Sequence, residues 1–125
     1  MTRQDIHKEI VREFRDCLGN RKDFGAARKY LAPTYIRHNP PSNEGIEAFE
    51  ECAGACKKDP PDLTNEVIRV LADGDYVVLH VHSFEPPDIH VAVVEIYRFE
   101  NGFIAEQWDV AQIIPATSSC PDRMF

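Results

Sequence analysis

A chain of 125 residues has the usual length of one globular domain, so the sequence predicts a single domain over residues 1–125. The formal net charge of −7 argues against nucleic acid as a partner, because phosphate binding needs clustered Lys and Arg, and the 14 basic residues are scattered among 21 acidic ones. No segment is apolar for long enough to cross a bilayer, and the charged N-terminus lacks a secretory signal. We therefore expect a cytoplasmic protein with no membrane contact.

Helical periodicity dominates the beginning of the chain. Apolar residues recur every fourth position from Ile6 to Leu18, which predicts an amphipathic helix over about residues 4–18. Gly19-Asn20 follows directly, and these residue types tolerate the left-handed conformation that commonly ends a helix. We expect the first helix to end there.

Two further helices are expected before the middle of the chain. Asp23 is a suitable N-cap for a short helix that runs to about Leu31. After an extended segment at residues 35–38, Ser42 or Asn43 is expected to cap a third helix, which ends before the next pair of prolines. The first half of the chain is therefore predicted to be helical.

The second half of the chain is typical of β-structure. Four segments are rich in β-branched and aromatic residues, and turns containing Gly, Pro or Asp separate them. They lie at residues 67–71, 76–84, 90–100 and 103–114. Because short loops join antiparallel neighbours, the order of elements predicts an α+β fold in which N-terminal helices pack on a bent, mainly antiparallel sheet.

Polar residues occupy strands that otherwise look buried. His80 and His82 alternate with apolar residues, so they project side by side from one face of their strand, while Glu95 is an acid within the next apolar strand. Burying several ionisable groups is costly unless they are paired or solvated, and a water-filled pocket solvates them. We expect the sheet to bend around a cavity, with these three side chains on one face and pointing into it.

The last hairpin determines which polar groups share a face. A two-residue turn at Asn101-Gly102 would pair Glu95 with Trp108, whereas a three-residue turn with a glycine bulge would pair Glu95 with Gln107. We favour the three-residue turn because it gathers four polar residues on one concave surface. These residues are Glu95, Tyr97, Gln107 and Asp109.

The opposite, convex face of the sheet is expected to be apolar. The residues assigned to it are Val94, Ile96, Ile104, Trp108 and Val110. A large apolar patch is rarely left in solvent on a monomer. We therefore expect a homodimer that pairs through the convex sheet face.

The cysteines indicate neither a disulfide nor a metal site. The four cysteines are Cys17, Cys52, Cys56 and Cys120. Only Cys52 and Cys56 are near neighbours, one helical turn apart, whereas zinc sites typically combine two short Cys/His pairs. His80 and His82 place two potential ligands together, but no matched third ligand is evident. We expect reduced thiols and no bound metal.

Four motifs follow one another at suitable spacing. They are YIRHNP at 35–40, HVH at 80–82, VEIYRFENG at 94–102 and EQWDVAQ at 106–112. With the closing Met124-Phe125, they resemble the SnoaL-like proteins of the nuclear transport factor 2 superfamily over nearly the whole chain. The resemblance implies a cone-shaped α+β barrel with a deep cavity at its open end. It also implies polyketide cyclase, ketosteroid isomerase or dehydratase chemistry that needs no metal and no organic cofactor.

The resemblance implies that His38, His80, His82 and Asp109 occupy pocket positions and that Glu95 falls where relatives often have an acid. The candidate catalytic residues are Asp109, His38 and His82, and the candidate substrate-binding residues are His80, Glu95, Tyr35, Tyr97 and Trp108. The chain departs from the family pattern at two positions, because Glu95 stands where Asp is expected and Gln107 where His is expected. The longer Glu95 side chain narrows the pocket, and Gln107 removes a proton carrier.

These residue types suit the chemistry of an enolate. Abstracting a proton next to a carbonyl needs a base near the carbon and a donor near the enolate oxygen. Asp109 or His38 can be the base, and the candidate donors are His80, His82, Glu95 and Tyr97. We expect a small apolar or aromatic molecule as the ligand and a cyclase, isomerase or lyase activity. The alternative is a non-catalytic module for ligand binding or dimerisation.

Overall fold

Three helices form one layer of the protein. They are α1 (Arg3–Gly19), α2 (Phe24–Arg28) and α3 (Gly45–Lys57). The computed structural model describes residues 1–38, 44–117 and 121–125. Within these ranges no helix is both long enough and apolar enough to span a membrane. Ser42 and Asn43, the expected caps of α3, lie outside the described residues.

Capping interactions mark both ends of α1. Thr2 and Asp5 form a reciprocal cap at the start of α1, in which each side chain accepts a hydrogen bond of 3.1 Å from the other's backbone N–H. Helix α1 ends at Gly19 with Asn20 as its C-cap, where the end was expected, but the residue in the left-handed conformation is Lys22, with a φ of 56°. The N–H of Asp23 then donates to the carbonyl oxygen of Cys17.

A single five-stranded sheet forms the second layer. Its strands are β1 (Leu31–Arg37), β2 (Thr64–Asp73), β3 (Tyr76–Glu85), β4 (Ile89–Glu100) and β5 (Phe103–Ile113). The spatial order is β1-β5-β4-β3-β2, and only the β1–β5 pair is parallel. Helix α2 ends earlier than expected because Leu31 begins β1. The predicted α+β fold with a mainly antiparallel sheet is confirmed.

One face of the sheet, here called the inner face, packs against the helices. Its fully buried side chains include Val77, Leu79, Val81, Tyr97, Phe99 and Ile104. Helix α1 is fixed over β4 because the ring of Phe14 meets the ring of Tyr97 edge-on, with centroids 6.0 Å apart. The opposite face is called the outer face.

The β4–β5 hairpin differs from both expected registers. Asn101 and Gly102 have φ angles of 52° and 85°, and Glu100 pairs with Phe103, so the turn has two residues and the prediction of three is wrong. The ladder then shifts by one residue at a bulge around Ala105. As a result Glu95 lies opposite Asp109, and the following residues share its face as predicted: Tyr97, Gln107 and Asp109.

The bulge also corrects the predicted outer face. Ile104 is fully buried, because it lies before the bulge and pairs with the inner residue Phe99. The prediction that Ile104 belongs to the convex surface is therefore wrong. Val94, Ile96 and Val110 are exposed on the outer face to 42%, 36% and 74%.

Candidate functional site

A buried ion pair lies on the inner face of β4. The Nε of Arg15 donates to both carboxylate oxygens of Glu95, at 3.1 and 2.8 Å, and the hydroxyl of Tyr97 donates to Glu95 Oε1 at 2.6 Å. Glu95 is only 4% exposed. Three hydrogen bonds compensate for removing this carboxylate from water.

Local sequence explains how the Arg15 side chain reaches the sheet. A Cβ atom at position 19 would lie 2.1 Å from Arg15 Nη1, so Gly19 leaves room for the guanidinium. Asn65 on β2 accepts a hydrogen bond of 3.2 Å from Arg15 Nη2, and Ser83 on β3 donates to the same oxygen at 2.5 Å. The guanidinium is thus held between α1, β2 and β4.

The electrostatics of this cluster fix where its protons reside. Burial is the largest single effect on the pKa of Arg15 and would lower it. The charge and hydrogen bond of Glu95, with smaller contributions from Tyr97 and Cys56, together outweigh burial, and the pKa is raised. Burial raises the pKa of Tyr97 well above its usual value, and the neighbouring Glu95 carboxylate adds to this rise. Tyr97 therefore stays protonated and continues to donate to Glu95.

A second polar pair lies on the same face, on β1 and β5. Arg37 Nη2 is 3.6 Å from Asp109 Oδ2, and the two side chains are 21% and 14% exposed. The buried Nε of Arg37 has no hydrogen-bond partner among the residues that the structure describes. A buried N–H group without an acceptor is costly. The described part of the protein therefore leaves this donor unsatisfied.

Tyr35 lies beside this pair. Its hydroxyl donates to Gln107 Oε1 at 2.7 Å, and both residues are buried. Burial raises the pKa of Tyr35, so the hydroxyl remains a donor. The hydrogen bond fixes the orientation of the Gln107 amide between the two ion pairs.

Two thiols of α3 complete a group of side chains that is here called the inner cluster. Its other members are Arg15, Tyr35, Arg37, Glu95, Tyr97, Gln107 and Asp109. Cys52 is buried and Cys56 is partly exposed, and both are free thiols, as is Cys17. The interaction between Cys52 and Cys56 raises the pKa of Cys52 and lowers the pKa of Cys56 to about 7. The positive charge of Arg15 contributes further to the lowering at Cys56. Cys120 lies outside the described residues.

These thiols give a pH-dependent prediction. Because a thiolate is the reactive form and the pKa of Cys56 is lowered to about 7, its alkylation rate should rise with pH and reach half its maximum near pH 7. Iodoacetamide labelling over a pH series, followed by peptide mass spectrometry, measures the rate at each cysteine. Cys17 is the internal control, since burial raises its pKa. Equal labelling of Cys56 and Cys17 at pH 7 would contradict the assignment.

His80 and His82 lie on the outer face, so the prediction that they share a pocket with Glu95 is wrong. In the β3–β4 ladder Glu95 pairs with Leu79, whereas His80 pairs with Val94. Successive side chains along a strand point to opposite faces. Glu95 therefore points inward with Leu79, and the two histidines point outward.

On the outer face the two histidines contact the C-terminal residues. His80 Nε2 lies 2.8 Å from the carbonyl oxygen of Met124, and the ring of Phe125 stacks on His82 with centroids 3.8 Å apart. His82 Nε2 also lies 2.8 Å from His90 Nδ1. These contacts give both histidines a structural role in holding the end of the chain.

His38 and Trp108 also lie on the outer face. Their rings stack with centroids 4.8 Å apart, and His38 Nε2 is 2.8 Å from Glu106 Oε2. Trp108 and Glu106 alternate along β5 with the inward-facing Gln107 and Asp109. The structure therefore brings neither His38 nor His82 together with Asp109.

The inner cluster thus unites four of the eight candidate residues with two arginines that sequence reasoning missed. The four are Glu95, Tyr35, Tyr97 and Asp109. A signal for Arg15 exists, because it follows the apolar Val11 by four residues and so borders the buried stripe of α1. Arg37 shares its strand face with Tyr35, two residues earlier.

A cavity of about 560 Å³ opens between α1 and β2 and reaches Arg15 and Asn65. Its other lining residues are Glu9, Arg12, Glu13, Asp16, Asn20, Glu66 and Val67. Among the described residues no three His, Cys, Asp or Glu side chains converge to hold a metal ion. The side chains of the inner cluster are carboxylates, guanidinium groups, phenols, an amide and thiols.

Several solved structures share the fold of helices over an open, mainly antiparallel sheet. A candidate ketosteroid isomerase from Kribbella flavida superposes with a TM-score of 0.74 at 20% identity, covering 90% of this chain and 82% of that chain. The candidate hydroxylase AclR from Streptomyces galilaeus gives 0.71 at 22% identity, covering 87% and 90%. An NTF2-like protein of unknown function from Burkholderia xenovorans gives 0.75 at 14% identity, covering 97% and 94%.

These structures define the class as NTF2-like α+β proteins, since identities this low establish the fold alone. Residues 8–117 match the family described as SnoaL-like polyketide cyclase. The chain belongs to the SnoaL-like polyketide cyclase family, as its motifs indicated. The comparison with curated proteins returned no match.

Proposed function

We propose that the inner face binds a small carbonyl compound and transfers a proton next to its carbonyl group, with Asp109 as the base. The observation that carries this proposal is the buried Nε–H of Arg37, which has no acceptor among the described residues, together with the contact of 3.6 Å between Arg37 and Asp109. A base and an oxygen-binding donor are the two groups that enolate formation needs.

The proposed reaction involves only Asp109, Arg37 and the substrate. Asp109 takes the proton, the C–H electron pair moves to form the enolate, and the Nε–H of Arg37 donates to the enolate oxygen. Return of the proton from Asp109 to another carbon gives an isomer. Attack of the enolate carbon on a second carbonyl group of the same molecule gives an aldol ring closure, in which Asp109 returns its proton to the alkoxide oxygen that forms. The ring closure is the outcome that corresponds to the family description, polyketide cyclase.

The remaining inner residues are assigned a positioning role. Both oxygens of Glu95 are engaged by Arg15, and Tyr97 stays protonated beside them, so this unit suits a fixed wall better than a proton carrier. Tyr35 orients the Gln107 amide toward the same region. The acid–base roles that the sequence suggested for His38 and His82 are not part of the proposal.

A non-catalytic binding module is the second candidate. It is favoured by the separation of His38, His80 and His82 from Asp109, because none of these three histidines can then act as its proton shuttle. In that case Arg37 and Asp109 would orient a small apolar or aromatic ligand with a polar end.

One experiment separates the two candidates. The protein is incubated in D₂O with ethyl 3-oxobutanoate or androst-5-ene-3,17-dione, and NMR follows deuterium entry next to the carbonyl. Exchange above the buffer rate that depends on Asp109 supports catalysis. Saturable binding of either probe without exchange supports the binding module.

The outer face supports a proposal on assembly. Val94, Ile96 and Val110 form an exposed apolar surface on neighbouring strands, beside Trp108. Burying such a surface against a second copy is favourable by about 25 cal/mol per Å². We propose a homodimer through this face.

Sedimentation velocity at micromolar concentration should therefore show a dimer. Val110→Lys, which places a charge at the most exposed of these positions, should shift the protein to a monomer. Ile6→Lys is the matched control, because Ile6 is 46% exposed but lies on α1. A wild-type monomer, or equal effects of the two substitutions, would reject the proposed interface.

A further inference from the structure

A second candidate binding site lies between α2 and α3, away from the inner cluster. Two cavities of about 360 and 430 Å³ share three lining residues, Arg28, Ile46 and Phe49, so they adjoin and form one groove. Each volume lies in the range of about 300–1,000 Å³ that is typical of small-molecule sites. Of the inner-site residues, only Tyr35 also lines this groove, among those the structure describes.

The groove has an apolar floor. Its apolar lining residues are Phe24, Leu31, Ala32, Pro33, Ile46, Phe49 and Ala53. Ile46 is 40% exposed although it follows the first residue of α3 and faces this groove. An exposed apolar side chain within a concave, largely apolar surface is typical of a site that contacts the hydrocarbon part of a ligand.

Two cationic side chains line the groove. Arg28, in the last turn of α2, and Lys57, in the last turn of α3, form no ion pair with any residue in the described ranges. Lys57 Nζ lies 5.2 Å from the centroid of the Phe24 ring, which keeps its ammonium group over the apolar floor. Among the described lining residues of the two cavities Glu50 is the one acid, so their formal charges sum to a positive value.

This local charge runs against the composition of the chain. The whole chain has 21 acidic and 14 basic residues, so its net charge is negative while the groove is positive. A guanidinium and an ammonium group both bind anions, the first through paired hydrogen bonds and the second as a point charge. An apolar body with one anionic head is complementary to the floor and to both cations.

We infer that the groove between α2 and α3 binds an amphiphilic anion, with its hydrocarbon chain on Ile46 and Phe49 and its head group between Arg28 and Lys57. The head group is a carboxylate or a phosphate, since the same two cations suit either. This site is separate from the proposed enolate chemistry and does not depend on it.

Isothermal titration calorimetry with the full chain tests the inference, using decanoate, octanoate, decyl phosphate and decan-1-ol below their micelle-forming concentrations. Decanoate should bind about tenfold more tightly than octanoate, because two more methylene groups are buried. It should also bind about tenfold or more tightly than decan-1-ol, which lacks the charge. Tight binding of either anion supports the site, and the tighter anion identifies the head group.

Matched variants localise the binding. Arg28→Gln should weaken decanoate about tenfold and leave decan-1-ol unchanged, whereas Arg12→Gln, at another exposed arginine without a described ion pair, should change neither. Ile46→Gln should weaken all four probes, and Ile89→Gln should not, although Ile46 and Ile89 are 40% and 41% exposed.

Either of two results would overturn the inference. If decan-1-ol binds as tightly as decanoate, the charge of the head group is not recognised. If Arg12→Gln and Ile89→Gln weaken binding as much as Arg28→Gln and Ile46→Gln do, the probes bind as non-specific surfactants. Asp109→Asn should bind decanoate like wild type. A loss of carbonyl exchange with retained decanoate binding would therefore report on the inner site alone.

Discussion

Asp109→Asn should slow the proposed deuterium exchange by about a hundredfold to ten-thousandfold, the usual cost of losing a positioned general base. Asparagine keeps the shape of the side chain and can still lie near Arg37, but it cannot accept the proton. Binding of the probe should change much less, because the substitution leaves the Nε–H of Arg37, the proposed donor to the ligand oxygen, in place. NMR exchange rates and calorimetric affinities for wild type and variant measure the two effects separately.

Two control substitutions test this assignment. Asp73→Asn removes an exposed carboxylate from β2 and should leave exchange unchanged. His38→Gln should also leave it unchanged, because His38 stacks on Trp108 across the sheet from Asp109. If His38→Gln abolished exchange and Asp109→Asn did not, the assigned base would be wrong.

Glu95→Gln should lower the free energy of unfolding by about 3–5 kcal/mol, because it leaves the buried guanidinium of Arg15 without its counter-charge. This loss is a large share of the 5–15 kcal/mol that typically stabilises a domain. The carboxylate also accepts the Tyr97 hydroxyl, so its removal weakens one contact between α1 and β4 and one contact within β4.

Urea unfolding followed by circular dichroism measures the change. Glu100→Gln is the matched control, since Glu100 pairs with Arg98 at 3.4 Å but is 56% exposed, and such pairs contribute about 1 kcal/mol or less. Adding Arg15→Met to Glu95→Gln should restore part of the stability, because no unpaired charge then remains buried. Equal losses for Glu95→Gln and Glu100→Gln would show that the ion pair does not stabilise the fold.

The sequence by itself determined the elements, because their signals are local. Apolar spacing of about four residues marks α1, and β-branched segments between turns mark β2 to β5. The polar character of the inner face was also predictable, since Glu95 and Tyr97 must share one side of their strand. The four motifs in order were enough to indicate the family.

Hairpin register was decided only by the tertiary structure. The two-residue turn and the bulge at Ala105 depend on burying both Ile104 and Ala105, which no local pattern specifies. The shift placed Glu95 opposite Asp109, a pairing that neither expected turn produced. The predicted turn was one residue too long, and the bulge was not predicted. These two errors cancel for Gln107 and Asp109, which lie on the inner face as predicted. Ile104 precedes the bulge and lies in the core instead of on the outer face.

The faces of the histidines were likewise beyond the reach of local patterns. The sequence fixes that His80 and His82 share a face, but the register of β3 on β4 decides whether Glu95 joins them, and one residue of register reverses the answer. Arg15 and Arg37 reach the site from α1 and β1, elements distant in sequence from Glu95 and Asp109. Charge pairing across such distances is a property of the packed fold, because it requires the helices and the sheet to meet first.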